Sequence, residues 1–461
     1  MPDAPAFRYV DLFAGIGGFA AALRAFGGEG RYSVEIDRAA ARVYAQNWGE
    51  SPLGDITEDA NDETMNVPPH DLLAAGFPCQ PFSKSGAQRG MDETRGTLFW
   101  NIARIIQAHH PKVVLLENVR NLAGPRHLHE WQVIIETLRD EGYRVSETPA
   151  VFSPHQLPRE MGGRPQVRER VFITATHNPD GIDAGIEPDP VVTPRSRFQG
   201  FDPSHEWLLD DFLDPDHHVE GCDLTPAERL WIDAWDDFVQ IMWEEREGRR
   251  LPGFPIWADH WVDLADLEIE PGTPAWKASH LRKNAELYTA HKQVLNRWAA
   301  RWGVYSDKFP PSRRKLEWQA QDTARLWDTV MHFRPSGIRA KRATYLPALV
   351  AITQTSIIGP RERRLSPREA ARLQGLPDGF SFEGQPASAT YRQLGNGVNV
   401  GAVWNVLKAH VARDEDVLKR TPEGRGIIRA VLDAPASPDE RLREMFPAPS
   451  TPVEQLYEER A

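Results

Sequence analysis

The first 177 residues alternate strand-like and helix-like segments, and this rhythm constrains the fold more than any other property of the chain. Arg8 to Phe13 is an apolar run that enters a glycine-rich turn, and the turn opens a helical stretch from Gly18 to Phe26. Tyr32 to Ile36, Leu72 to Phe77, Val113 to Leu116 and Arg170 to Thr174 read as further strands. Arg38 to Asn47, Thr97 to His109 and His129 to Glu141 read as the helices between them. Short apolar strands separated by helices predict an α/β fold with a parallel sheet and crossover helices. Ligands of such sheets bind beyond the carboxyl ends of the strands.

The rhythm stops near His177, and from there to about Arg363 the chain is rich in Trp, Pro and charge, which predicts a separate domain. Within it, Thr225, Pro226 and Glu228 form a helix start with a capping box. Trp231, Trp235, Phe238 and Met242 then share one helix face, as a core stripe does. A helical pattern returns at Ser366 to Leu373. Beyond His410 the tail is charged and contains proline, a composition that predicts partial mobility.

A 461-residue chain with 41% hydrophobic content can bury a large core in two or three domains. It has no apolar run of about 18 residues to span a bilayer, and its N-terminus lacks the pattern of a signal peptide, so a cytoplasmic location without a membrane partner is expected. Cys79 and Cys222 are the only cysteines, far apart in dissimilar surroundings, so no disulfide is expected. Cys222 lies near His217 and His218, yet no second ligand pair follows, and no metal site is expected. The net charge of -12 conceals an uneven distribution. Residues 201–270 hold 20 Asp or Glu against 4 Lys or Arg, whereas residues 271–345 hold 15 Lys or Arg against 5 Asp or Glu. Trp298, Trp302, Trp318 and Trp327 interleave the basic block, a pattern shared by nucleic-acid surfaces and by solvated charged helices.

Three constellations carry chemistry. Phe13-Ala14-Gly15-Ile16-Gly17-Gly18 follows a strand and opens a helix, where glycines let the backbone approach a nucleotide-like ligand. Glu35, about 20 residues on at a strand end, is placed to accept hydrogen bonds from two ribose hydroxyls, and Asp55 could accept from an adenine amino group. These residues describe an adenosine pocket without separating NAD from S-adenosylmethionine. Pro78 and Pro81 bracket Cys79 at another strand end, fixing a thiol that would otherwise be read as buried and inert. Glu117-Asn118-Val119 closes the next apolar strand, and Arg168 and Arg170 follow in Gln166-Val167-Arg168-Glu169-Arg170. A thiolate beside arginines has a lowered pKa and gains nucleophilic character.

In these motifs, together with Arg364 to Gly375 and Gln393-Leu394-Gly395-Asn396-Gly397-Val398, the chain resembles the DNA (cytosine-5)-methyltransferases, over roughly residues 8–175 and 360–408. The resemblance implies a Rossmann-like S-adenosylmethionine-dependent methyltransferase fold with a smaller, irregular target-recognition domain. It implies a catalytic part over residues 1–178, target recognition over 179–362, C-terminal motifs over 363–412 returning to the catalytic domain, and a charged extension over 413–461. Cys79, Glu117, Arg168 and Arg170 would be catalytic, with Arg170 on the base carbonyl and Arg168 supporting it or the nearby backbone. Phe13, Gly15, Gly17, Glu35, Ile36, Asp55, Pro78, Leu98, Asn396 and Val398 would hold the cofactor S-adenosyl-L-methionine. The segment from Lys84 to Thr97 would close over a cytosine flipped from double-stranded DNA, with Gln80 entering the vacated space and Ser83 and Arg95 on phosphate. Further DNA contacts are expected from Arg313, Arg314, Lys315, Arg339, Lys341 and Arg342. A cognate restriction endonuclease or a defence system is the expected partner. The inserted Met161-Gly162-Gly163-Arg164 departs from the family pattern and leaves the local loop path open.

Overall fold

The computed structural model describes residues 5–78, 97–183, 185–191, 201–349 and 355–448. The chain forms two compact units: Met1–Leu208 with Pro347–Ile352 and Pro367–Ala461, and Leu209–Leu346 with Thr353–Ser366. Among the described residues no helix is long and apolar enough to cross a membrane.

The first unit is built on a seven-stranded sheet. Its strands are β1 (Phe7–Leu12), β2 (Gly28–Val34), β3 (Leu72–Gly76), β4 (Val113–Val119), β5 (Tyr143–Val145), β6 (Ala150–Phe152) and β7 (Arg170–His177). The order is β2-β1-β3-β4-β7-β5, with β6 also paired to β7. Strands β2, β1, β3 and β4 are mutually parallel. The alternation of sequence predicts β7 in the same sense, but β7 runs antiparallel to β4, β5 and β6. This inversion matters for chemistry, because it brings the start of β7 to the edge where β4 ends, with Val119 opposite Arg170.

Helices α1 (Gly18–Ala25), α2 (Arg38–Trp48), α3 (Ile56–Asp59), α4 (Leu98–His109) and α5 (Leu128–Asp140) cross between strands. The central strands are buried, as their continuous apolar runs require. Strand β2 ends at Val34, two residues before the predicted end, which leaves Glu35 just beyond the sheet. The first unit extends past residue 178 to Leu208, and the Trp207 indole donates to the His155 carbonyl at 2.8 Å.

The charged tail is helical from Glu415–Leu418 through Pro422–Leu432 to Asp439–Met445. Charged residues at its start have fixed partners. The Asp414 carboxylate accepts from the Thr176 hydroxyl and from Arg413, both at 2.7 Å, and burial pushes the adjacent His410 down to about 3.

The second unit has a regular centre that its sequence rhythm hides. Helix α6 (Pro226–Glu245) begins with the Thr225–Glu228 capping box and buries Trp235, Phe238 and Met242. These side chains pack with Trp298 of α7 (Ala275–Trp302) in one apolar cluster. Burial of each such side chain stabilises the unit by about 1.5–3 kcal/mol. Beside the helices lies a six-stranded mixed sheet whose inner face buries Leu316, Met331, Phe333 and Ile338. Acidic side chains from the sequence's acidic block pair with arginines of the same unit: Asp210 with Arg361, Asp216 with Arg363, and Glu228 with Arg364.

Candidate active site

A cleft of about 480 Å³ opens at the carboxyl edge of the first unit's parallel strands. Its lining includes Phe13, Gly15, Glu35, Pro78, Glu117, Arg170, Asn396 and Val398, drawn from segments up to 385 residues apart. The sheet explains the convergence: β1, β3 and β4 end there and β7 begins there.

The glycine-rich turn supplies one wall. Phe13 and Gly15 adopt left-handed backbone with φ of 58° and 57°, a conformation that is uncommon for a phenylalanine. The Glu35 carboxylate fixes this turn, accepting from the Gly15 N–H at 2.8 Å and from the Asp37 N–H at 2.7 Å. Each carboxylate oxygen retains a lone pair for a ligand hydroxyl. Gly18 has no room for a side chain, since a Cβ there would lie 2.8 Å from Val398.

The opposite wall carries the ionisable groups. Glu117 Oε1 lies 3.0 Å from Arg170 Nε. Burial raises the Glu117 carboxyl above its ordinary value, against the opposing pull of Arg170 and Arg168. Burial favours the neutral form of this carboxyl, the form that can give a proton to a bound base. Gly76 stands opposite Glu117 in the β3–β4 register, so the chain leaves β3 toward Pro78 one strand from this carboxyl. Asn118 donates from Nδ2 to the Phe77 carbonyl at 2.9 Å and holds that exit. Cys79, Gln80, Ser83 and Arg95 lie outside the described residues.

Arg168 lies outside the cleft and against backbone, one of the two supporting positions that the resemblance allows it. It is 1% exposed, does not line the cleft, and donates to the carbonyls of Gly395 (2.9 Å), Gly397 and Leu349 (3.4 Å). Burial and the neighbouring Arg170 lower its pKa to about 9, which leaves it charged at neutral pH. It ties the backbone at Gly395 and Gly397 to the segment that enters β7. Gly17 is likewise behind the cleft, as the residue that starts α1, with φ 93°. Asp55 caps α3 by accepting from Thr57, Leu98 opens α4, and Ile36 is 70% exposed; none of the three lines the cleft. Sequence reasoning missed Asp37 and Arg392, which line the cleft and face each other at 3.5 Å. The position of Arg392 next to the Gln393-Leu394-Gly395 motif was the available signal.

In the second unit the basic segment divides by strand alternation. The strands Lys315–Gln319 and Gly337–Arg342 send Leu316, Ile338 and Ala340 into the core. Lys315, Glu317, Arg339 and Lys341 alternate with these and share the other face. Arg339 pairs with Glu317, and Lys315 lies over Trp257. Burial, then Arg339 and Arg334, lower the Lys341 pKa, against the opposing pull of Glu317. Arg342 pairs with Asp322 and Arg314 with Asp259. Arg313 is not on this surface: it is 8% exposed, its guanidinium stacks 4.5 Å from the Phe333 ring, and it donates to the Arg334 carbonyl at 2.9 Å. Among the described residues no group of His, Cys, Asp and Glu could hold a metal ion.

The family of C-5 cytosine-specific DNA methylases matches this chain over residues 7–412. The chain belongs to that family. This methylase is 54% identical over 500 aligned positions to the Type II methyltransferase M.AluI of Cellulosimicrobium cellulans, covering 92% of the chain and 96% of the relative. It is 30% identical over 401 positions to the Type II methyltransferase M.HhaI of Haemophilus parahaemolyticus, covering 87% and 92%. A crystal structure of a Spodoptera frugiperda DNMT2 mutant overlays with a TM-score of 0.47 at 18% identity, over 87% of this chain and 99% of that one. The methylase is thus a DNA (cytosine-5-)-methyltransferase, and DNA is its substrate class.

Proposed function

We propose that the enzyme transfers the methyl group of S-adenosyl-L-methionine to carbon 5 of a flipped cytosine in duplex DNA, at a specific site, through a covalent bond between Cys79 and carbon 6. The observation that carries this reading is the Glu117–Arg170 pair at 3.0 Å, one strand from the exit toward Cys79 and open to the cleft.

The lining of the cleft fits the cofactor. Gly15 and Gly18 keep the wall open, Glu35 retains acceptor capacity for ribose hydroxyls, and the Phe13 ring offers an apolar face. Asn396 and Val398 would meet the methionine end. When bound, S-adenosylmethionine supplies an electrophilic sulfonium methyl.

Cytosine carbon 5 is a weak nucleophile until the ring is activated. The Cys79 thiolate adds to carbon 6 while Glu117 gives its proton to ring nitrogen 3, and Arg170 holds the base carbonyl oxygen. Carbon 5 then has enamine character and can accept a methyl group. Water takes the carbon 5 proton, Cys79 leaves as thiolate, and nitrogen 3 returns its proton to Glu117. The base must leave the stack for this chemistry, with Gln80 filling the gap and Ser83 and Arg95 on phosphate. Arg314, Lys315, Arg339, Lys341 and Arg342 would neutralise further phosphates, with Arg334 joining their cluster. The naming of the relatives as Type II methyltransferases supports a restriction-modification setting in the cytoplasm, with a cognate endonuclease as partner.

Expression in a host free of cytosine methylation, followed by bisulfite sequencing, tests the reading. The expected result is full protection of one short motif. An unmethylated genome alongside methylated tRNA would replace DNA by RNA as the substrate.

A further inference from the structure

The family match ends at residue 412, yet the described residues beyond it belong to the first unit. The residues beyond 412 have a specific seat. Helix Asp439–Met445 is tied down by Arg441, which donates to the Ala25 carbonyl at 2.6 Å, and by Asp439, which accepts from Arg164 at 2.7 Å. Arg164 belongs to the inserted Met161–Arg164 segment, and it also donates to the Arg372 carbonyl at 2.9 Å. The insertion and the extension therefore hold each other.

Phe446 follows this helix and ends against Trp48, with ring centroids 5.0 Å apart and planes at 87°. Phe380 closes the cluster, 6.0 Å from Trp48 and 5.5 Å from Phe446. The backbone fits as tightly as the rings: a Cβ at Gly379 would lie 2.5 Å from the Phe446 carbonyl oxygen. Trp48 in turn faces the glycine-rich turn. Its Nε1 donates to the Ile16 carbonyl at 3.1 Å, and a Cβ at Gly17 would fall 2.0 Å from that nitrogen. Gly15 and Gly18, on either side of this contact, line the cleft.

We infer that Phe446 is a positioning residue for the cofactor turn: the extension presses Trp48 against Ile16 and Gly17, and so sets the shape of the wall that receives S-adenosylmethionine. This inference rests on the cofactor reading of the cleft. Edge-on aromatic pairs of this kind are worth enough to change a binding constant about two- to tenfold. The pair makes no contact with Glu117 or Arg170, so the effect falls on cofactor affinity, not on the chemical step.

The test compares the full-length enzyme with Phe446→Ala, Phe446→Tyr and Arg441→Ala, measuring S-adenosylhomocysteine affinity by calorimetry and steady-state kinetics in both substrates. Phe446→Ala is expected to raise the KM for S-adenosylmethionine and weaken S-adenosylhomocysteine severalfold, leaving kcat and the KM for DNA near wild type. Phe446→Tyr keeps the ring and is expected to restore affinity. Arg441→Ala loosens the helix without touching Trp48, and is expected to lower the melting temperature more than the cofactor affinity. Phe446→Ala with unchanged cofactor binding, or with kcat and both KM values shifted together, overturns the inference. If Phe446→Ala does not fold, Phe446→Leu is read by the same criteria. Failure of the wild-type enzyme to bind S-adenosylhomocysteine would instead remove the cofactor reading itself.

Discussion

Glu117 and Arg170 meet at 3.0 Å because β7 runs against β4, so that the last turnward residues of one strand face the first of the other. A parallel β7 would carry Arg170 to the far edge of the sheet, about 20 Å away for strands of this length. The pair gives a carboxyl that burial holds above its usual range beside a cation that stabilises its charged form.

Glu117→Gln keeps the shape and a hydrogen-bond donor but cannot transfer a proton. The expected loss in kcat is about 10²- to 10⁴-fold, with S-adenosylhomocysteine binding retained. Stability has a definite sign here. The folded-state pKa of Glu117 is raised, so its contribution is fully favourable below the unfolded value and is lost as pH rises through the folded value. The melting temperature of the Gln variant relative to wild type is therefore expected to improve from pH 4 to pH 8, as thermal scans across that range would register.

Glu35→Gln replaces a carboxylate that accepts from two backbone N–H groups with an amide that has one acceptor oxygen. Charge-assisted hydrogen bonds of this kind contribute about 1.5–3 kcal/mol, so calorimetry should record cofactor affinity about ten- to a hundredfold weaker. The KM for DNA should stay near wild type.

Arg168→Met leaves the carbonyls of Gly395, Gly397 and Leu349 without their buried donor. Each such loss costs about 1–3 kcal/mol, and urea denaturation is expected to show a fall of at least that size. A wild-type denaturation midpoint would remove the positioning role.

Lys341→Ala and Arg313→Ala separate surface from core in the second unit. Lys341 belongs to the half-buried cationic face, so its loss is expected to weaken DNA binding and lower the salt dependence by about one ion. Arg313 is packed on Phe333, so its loss should lower stability and leave the salt slope unchanged. Equal salt slopes for Lys341→Ala and wild type would move the DNA surface elsewhere.

Much of the candidate site was legible because its residues lie in short local motifs at strand ends. Phe13, Gly15, Glu35, Pro78 and Glu117 line one cleft because the parallel strands that lead to them end at one edge. The direction of β7 was not legible, since an apolar strand has the same composition either way. Arg313-Arg314-Lys315 reads as one basic cluster, but it spans a short turn entering a strand, and only the fold decides that Arg313 points inward. The partners of the acidic block were not legible because several of them, Arg361, Arg363 and Arg364, come more than 130 residues later. The tail looked mobile because its anchors, Ala25, Trp48 and Arg164, lie 275 or more residues earlier in the chain.

The central claim is the bond between Cys79 and carbon 6 of the target cytosine, and trapping measures it most directly. Duplex DNA carrying 5-fluorocytosine at the methylated position blocks the final proton loss, so the adduct should accumulate in the presence of S-adenosylmethionine. The account predicts a denaturation-resistant complex whose peptide mass map places the base on Cys79, and no complex with Cys79→Ser. Normal methylation by Cys79→Ser, or an adduct on another residue, would contradict it.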